Sequence, residues 1–202
     1  MIDTIIFDVG NVLAIADWEL AFRKINIPGE VIPRVIKATV YNPYWHEYDR
    51  GVMPVEEIID GCIAADPELE EYIRRVFDNP GVYTYVAPYA DEWLRSLKEA
   101  GYRICILSNF PKVPWETQEA NDFSFLRYAD VIVVSYRIKK VKPDRDIFEY
   151  LENTYGVVPG ESVFLDDTEI NIEAARSFGY NGIVFKDHTL AKEELCALLS
   201  QR

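Results

Sequence analysis

Apolar residues along this chain follow two periods. Five short runs are continuous rather than alternating: "TIIFD" (4–8), "RICILS" (103–108), "VIVVS" (131–135), "SVFLD" (162–166) and "GIVFK" (182–186). They are rich in β-branched residues, and a strand with no polar side must be covered on both faces, as in a parallel sheet. Between these runs the period becomes helical. "YADEWLRSLKEAG" sets Trp93, Leu94 and Leu97 on one stripe and stops at Gly101, a residue type that readily takes the left-handed helix-ending conformation. "DRDIFEYLENTYG" does the same with Ile147, Phe148 and Leu151 before Gly156, and "EINIEAARSFG" and "LAKEELCALLS" follow the fourth and fifth runs. Strand alternating with helix predicts an α/β fold, a doubly wound parallel sheet with right-handed crossovers.

The interval between the first and second runs breaks this rhythm and shows no convincing strand. Val55, Ile58, Ile59, Cys62 and Ile63 have helical spacing, as do Leu69, Tyr72, Ile73, Val76 and Phe77. "DWELAFRKI" offers Asp17 as an N-cap. The pattern predicts an α/β core over 1–14 and 88–202, with an all-helical insertion over 15–87. Pro80-Gly81 and Pro88 mark its return, and Tyr83 and Tyr85 are read as hinge packing.

Composition narrows the classes. The net charge of −13 argues against nucleic acid as a partner, because such binding relies on many Lys and Arg to neutralise phosphates. No run is apolar for long enough to span a bilayer. The opening "MIDTIIFD" is too short and acidic for a signal peptide, so a cytoplasmic protein is expected. Cys62, Cys105 and Cys196 have no metal-ligand spacing and read as reduced core residues. The basic stretch "RIKKVKP" (137–143) reads as a solvated loop, and His188 as a surface residue.

Ligands of open parallel sheets bind beyond the carboxyl ends of the strands. The first run delivers Asp8 there, the second Ser108-Asn109, the fourth Asp166-Asp167, and the basic stretch after the third leads to Lys142-Pro143. Clustered carboxylates repel and raise one another's pKa unless a cation intervenes. Magnesium, which prefers oxygen ligands and bridges to phosphate, is the expected cofactor.

These residues resemble the motifs of the haloacid dehalogenase (HAD) superfamily, whose members are mostly magnesium-dependent phosphatases with a Rossmann-like core. "FDVGNVL" is similar to the first motif, "ILSN" to the second, "KP" to the third and "FLDD" to the fourth, all in order, with the insertion where that family places its cap domain. The "DxGNV" opening resembles a bacterial sugar-phosphatase subgroup that includes glucose-1-phosphate phosphatases. The resemblance implies that Asp8 is the nucleophile, forming an aspartyl-phosphate. It also implies that Asp8, the Gly10 carbonyl and Asp167 hold Mg²⁺, with Asp166 close by and acting partly through water. Ser108, Asn109, Asn11 and Lys142 would bind the phosphoryl group, and Asn171 would support the acidic loop. Asn11 stands in place of the usual glycine, and Asn tolerates a left-handed backbone.

One member of the family pattern is missing. Most phosphatases of this family carry a second aspartate two residues after the nucleophile as acid/base, and this chain has Gly10 there. Such help is worth about a hundred- to ten-thousand-fold. Either the substrate has a good leaving group, as in a sugar 1-phosphate, or a cap residue supplies the proton. "NPYWHEYDRG" (42–51) is the candidate segment, with His46, Glu47 and Asp49 among Tyr44, Trp45 and Tyr48. Trp45 and His46 are read as substrate contacts. The expected substrate is a small phosphorylated metabolite, with the protein a monomer or weak homodimer. The alternatives are a metal-independent 2-haloacid dehalogenase, a catalytically weakened phospho-ligand binder and, behind both, a mutase.

Overall fold

The computed structural model describes residues 1–81 and 83–200; the last two residues of the predicted core lie outside that range. The chain begins with β1 (Thr4–Phe7) and the short β2 (Ala14–Ala16). Five helices follow: α1 (Trp18–Lys24), α2 (Ile32–Ala38), α3 (Pro43–Arg50), α4 (Val55–Ala65) and α5 (Glu70–Asp78). The chain returns through β3 (Thr84–Val86) into α6 (Ala90–Glu99), β4 (Arg103–Ser108), α7 (Lys112–Asn121), β5 (Val131–Val134) and α8 (Ser135–Ile138). It ends with α9 (Arg145–Tyr155), β6 (Ser162–Asp166), α10 (Glu169–Ser177), β7 (Asn181–Val184) and α11 (His188–Leu199).

The main sheet has five parallel strands in the order β5-β4-β1-β6-β7. The continuous apolar runs follow from its two covered faces. Ile5, Phe7, Ile104, Ile106, Val163 and Leu165 face a layer containing Trp93, Trp115 and Leu195 from α6, α7 and α11. The residues between them, Ile6, Cys105, Leu107 and Phe164, face Ile147, Phe148, Leu151 and Ile172 from α9 and α10. The three inner strands β4, β1 and β6 therefore bury both sides, and β1, at the centre, carries Asp8 to the middle of the carboxyl-terminal edge.

Helices α1 to α5 gather around their own apolar cluster, including Phe22, Val35, Trp45, Ile58, Ile73 and Tyr83. Asp17 caps α1 as the sequence predicts, accepting from the Leu20 N–H at 2.9 Å. The interval expected to lack strands in fact contains two. Ala14–Ala16 pairs antiparallel with Thr84–Val86, and the Ala87 N–H extends the ribbon to the Leu13 carbonyl at 2.9 Å. The helical insertion thus leaves and rejoins the core through one two-stranded ribbon, with the expected limits 15 and 87 in it and at its foot. Tyr83, next to the ribbon, lies in the insertion's cluster with its ring 5.4 Å from that of Trp18, while Tyr85 is exposed on the ribbon. Cys62 and Cys105 are buried, but Cys196 is exposed, contrary to its expected core placement.

Candidate active site

Asp8 sits one residue past β1, its main-chain N–H still donating to the Leu165 carbonyl at 2.9 Å. The same sheet edge receives Lys142 from the chain that follows β5 and α8. The Lys142 side chain is 1 % exposed, and its Nζ lies 2.9 Å from Asp8 Oδ1 and 2.6 Å from Asp166 Oδ2. An ammonium is tolerated at such depth only when paired. Asn109 fixes the lysine's backbone from both sides: its Nδ2 donates to the Lys142 carbonyl at 2.9 Å, and its Oδ1 accepts from the Lys142 N–H at 2.8 Å.

Asp166, the last residue of β6, is fully buried. Beyond Lys142, it accepts from Asn171 Nδ2 at 3.0 and 3.1 Å and from the Thr168 N–H at 2.8 Å. Its four-fold engagement makes it the fixed counter-ion of Lys142. Asp167, beside it, accepts from Asn11 Nδ2 at 2.9 Å and from Thr168 Oγ1 at 3.2 Å. Asn11 has φ 53, the left-handed conformation expected of it, and its Oδ1 accepts from the Ala16 N–H at 3.1 Å.

Oxygen atoms of Asp8, Asp166 and Asp167 all lie within 4.8 Å of one another. Burial, with Asp166 and Asp167 adding to it, pushes the Asp8 carboxyl up to about 7 against the pull of Lys142. Burial likewise raises Asp167. Lys142 loses by burial but gains more from Asp166 and Asp8, so its pKa rises and it stays charged. Three carboxylates facing one ammonium leave excess negative charge in a dry site. All-oxygen donors at this spacing fit a hard divalent cation, whose charge would return the carboxyls to their ionised form.

Ser108, the last residue of β4, is fully buried, and its Oγ has no hydrogen-bond partner among the described residues. An unpaired buried hydroxyl costs about 1–3 kcal/mol, which a ligand oxygen can recover. Gly10 lines the same cavity, and a Cβ built on it meets nothing within 4 Å, so a side chain at this position has open space.

The cavity above these groups measures about 580 Å³. Asp8, Gly10, Lys142 and Asp167 line it from the core, and Trp18, Tyr41, Trp45, His46 and Asp49 from the helical insertion. Trp45 also belongs to the insertion's apolar cluster, its ring 5.6 Å from those of Trp18 and Tyr48. His46 is half-buried on the cavity wall.

The geometry changes several expectations. The Asn11 and Asn109 side chains are held by Asp167 and by the Lys142 backbone, which leaves main-chain N–H groups in these two loops as the donors expected for phosphate. The basic stretch 137–143 is not a free solvated loop. Arg137 pairs with Glu119 at 2.7 Å, Lys139 donates to the Gly51 carbonyl at 2.6 Å, and Lys140 pairs with Asp146 at 3.0 Å. His188 is not a bare surface residue: its ring stacks on Tyr89 at 4.1 Å and 3°, edge-on to Trp93, and burial lowers its pKa. Trp18 and Tyr41 carry no sequence signal for the site, while Asp49 lies in the segment 42–51 expected to supply a proton from the cap. Asp49 shares a helix face with Trp45 and His46 at spacings of four and three, and all three line the cavity.

The sequence profile of the haloacid dehalogenase-like hydrolases matches residues 2–179. The chain belongs to this family. This hydrolase is 24% identical to D-ribitol-5-phosphate phosphatase of Bacteroides thetaiotaomicron, over 99% of this chain and 100% of that protein. Among solved structures it is similar to a HAD family enzyme of the same organism in complex with magnesium and inorganic phosphate (TM-score 0.71, 23% identity, 94% of this chain and 98% of that one). It is also similar to a dehalogenase with an intermediate complex (TM-score 0.74, 19% identity, 100% and 98%). The two structural likenesses establish the shared fold.

Proposed function

We propose that this HAD-like hydrolase is a magnesium-dependent phosphatase acting on a small phosphorylated metabolite of the sugar or sugar-alcohol type. The observation that carries the reading is the buried Lys142 ammonium held between Asp8 and Asp166, with the Asp8, Asp166 and Asp167 oxygens converging beside it. A dehalogenase needs the aspartate but has no use for three converging carboxylates. The likeness to a phosphatase of a phosphorylated sugar alcohol, spanning both chains, supports the substrate class.

Asp8, Asp166, Asp167 and the Gly10 carbonyl are the groups that would hold Mg²⁺. When bound, it supplies positive charge that offsets repulsion between the Asp8 carboxylate and a phosphate dianion. An Asp8 carboxylate oxygen attacks phosphorus in line with the ester oxygen. The P–O bond to Asp8 forms as the P–O bond to the sugar oxygen breaks, and that oxygen takes a proton. Water then attacks phosphorus, the Asp8–phosphorus bond breaks and phosphate leaves. Lys142 stays charged beside the nucleophile and balances the equatorial oxygens, and the Ser108 hydroxyl donates to one of them. The helical insertion acts as a cap: Trp45 and Tyr41 present aromatic surface to the organic part of the substrate and keep out bulk water.

A panel of phosphorylated sugars and sugar alcohols, assayed for phosphate release with millimolar magnesium and again with EDTA, tests this reading. Release that requires the metal supports it. Release unaffected by chelation, or chloride release from a 2-haloacid instead, overturns it.

A further inference from the structure

The phosphatase reading leaves one chemical task without a residue. The alkoxide of a sugar alcohol is a poor leaving group, and the position two residues beyond the nucleophile is Gly10, which has no carboxyl to protonate it. We infer that Asp49, on the last turn of α3 in the helical insertion, is the general acid and base of this reaction.

Three observations place it. First, Asp49, which belongs to the helical insertion, lines the same cavity as Asp8 and Lys142 of the core. Second, its carboxylate makes no hydrogen bond or ion pair among the described residues, so it is not spent on structure. Glu47, the other carboxylate of the segment, is engaged by Arg50 at 3.4 Å and does not line the cavity. Third, its backbone is anchored to the core. The Asp49 carbonyl falls in the final turn of α3, where carbonyls lack helical partners, and the buried Ser135 hydroxyl donates to it at 2.6 Å. On either side, Arg50 reaches Asp144 at 3.3 Å and Lys139 Nζ reaches the Gly51 carbonyl at 2.6 Å. Gly51 allows this approach: its φ is 67, and a Cβ there would stand 3.1 Å from the Tyr136 Cβ. The core thus fixes the helix end at a residue that shares the nucleophile's cavity.

The electrostatics agree with this role. Burial, reinforced by the nearby Asp8, raises the Asp49 carboxyl well above the ordinary range even with Lys142 pulling the other way. A carboxyl whose protonated form is favoured in this way can give its proton to the ester oxygen as the bond from phosphorus to that oxygen breaks. The resulting Asp49 carboxylate then takes a proton from the water that attacks the aspartyl-phosphate, which restores both groups. No outside acid or base is required.

This inference rests on the phosphatase reading, and the test separates the two. Wild type, Asp49→Asn, His46→Gln and Asp49→Asn/Gly10→Asp are assayed with magnesium on a sugar-alcohol phosphate and on p-nitrophenyl phosphate, whose phenolate departs without a proton. Thermal melts confirm that each variant is folded. The expected loss for Asp49→Asn is about a hundredfold or more on the alkyl ester and much smaller for the first half-reaction on the aryl ester. That variant then accumulates phosphoenzyme with the aryl ester, because water activation is also lost. The open space at Gly10 lets the double variant recover part of the alkyl-ester activity. Equal losses on both esters, no loss, or a selective loss in His46→Gln instead of Asp49→Asn overturns the assignment. A wild type inactive on both esters overturns the phosphatase reading, and the assignment with it.

Discussion

Replacing Asp8 with Asn separates what the nucleophile does for catalysis from what it costs the fold. Asn keeps the Oδ1 acceptor that faces the Val9 N–H at 2.7 Å and Lys142 at 2.9 Å, while Lys142 keeps its bond to Asp166. Burial first, then Asp166 and Asp167, raises the Asp8 carboxyl from 3.8 to about 7. Between those values the folded protein holds a proton that the unfolded chain has released, so the stability of the metal-free protein falls as pH rises. At about 1.36 kcal/mol per pH unit, the fall across that window amounts to about 4 kcal/mol. Asn does not titrate and escapes it. In EDTA, Asp8→Asn should melt at about the same temperature as wild type or lower near pH 4. Its relative Tm should then climb with pH, reaching roughly 8–16 °C of relative gain by pH 8 for a domain of this size. Millimolar magnesium should close most of that gap by stabilising wild type more, since it binds the ionised carboxylates. Phosphate release should vanish in the variant under all conditions. The measurement is a set of thermal melts at pH 4 to 8 with EDTA or magnesium. A difference in Tm that stays constant across this range, or that grows against the variant as pH rises, would refute the claim that burial dominates the Asp8 carboxylate.

Other perturbations test other parts of the site. Lys142→Met strands two buried carboxylates and should cost about 3–5 kcal/mol in metal-free protein at neutral pH, read by urea unfolding. Gly51→Ala forces a side chain into a left-handed backbone against Tyr136, and a loss of about 1–3 kcal/mol is expected, with kcat falling more than melting temperature alone explains. Ser135→Ala removes the hydroxyl that holds the Asp49 carbonyl, and a fall in kcat of about tenfold on alkyl phosphates should accompany the loss of about 1 kcal/mol of hydrogen bonding.

How much of this was readable in the chain depended on whether the cause was local. The strands of the main sheet were legible because both of their faces are buried, which leaves continuous runs such as "ILS" before Asn109 and "VFL" before Asp166. Asp8, Lys142, Asp166 and Asp167 were legible as strand-end chemistry. The ribbon was not: three residues each of "AIA" and "TYV" carry too little pattern, and pairing across the insertion holds them together. The division of labour between the two adjacent aspartates was also hidden. It comes from Lys142 and Asn171, which arrive from separate elements and pin the buried Asp166 in place within the carboxylate cluster, while Asp167 lines the cavity. His188 and Cys196 misled for one reason, that a single residue's burial depends on a helix face set by distant contacts. Asp49 lay within a segment flagged as chemically rich, yet choosing it over His46 and Glu47 required the direction of α3 and the ion pair that occupies Glu47.

The claim beneath all of this is that Asp8 itself accepts the phosphoryl group. Single-turnover mixing with a phosphate ester and magnesium, acid quench and borohydride reduction read it directly, because reduction converts an aspartyl-phosphate to homoserine at the modified residue. The phosphoenzyme route predicts homoserine at position 8 in wild type, more of it in Asp49→Asn with an aryl ester, and none when magnesium is withheld. Phosphate release during the first turnover with no homoserine at position 8 would contradict it.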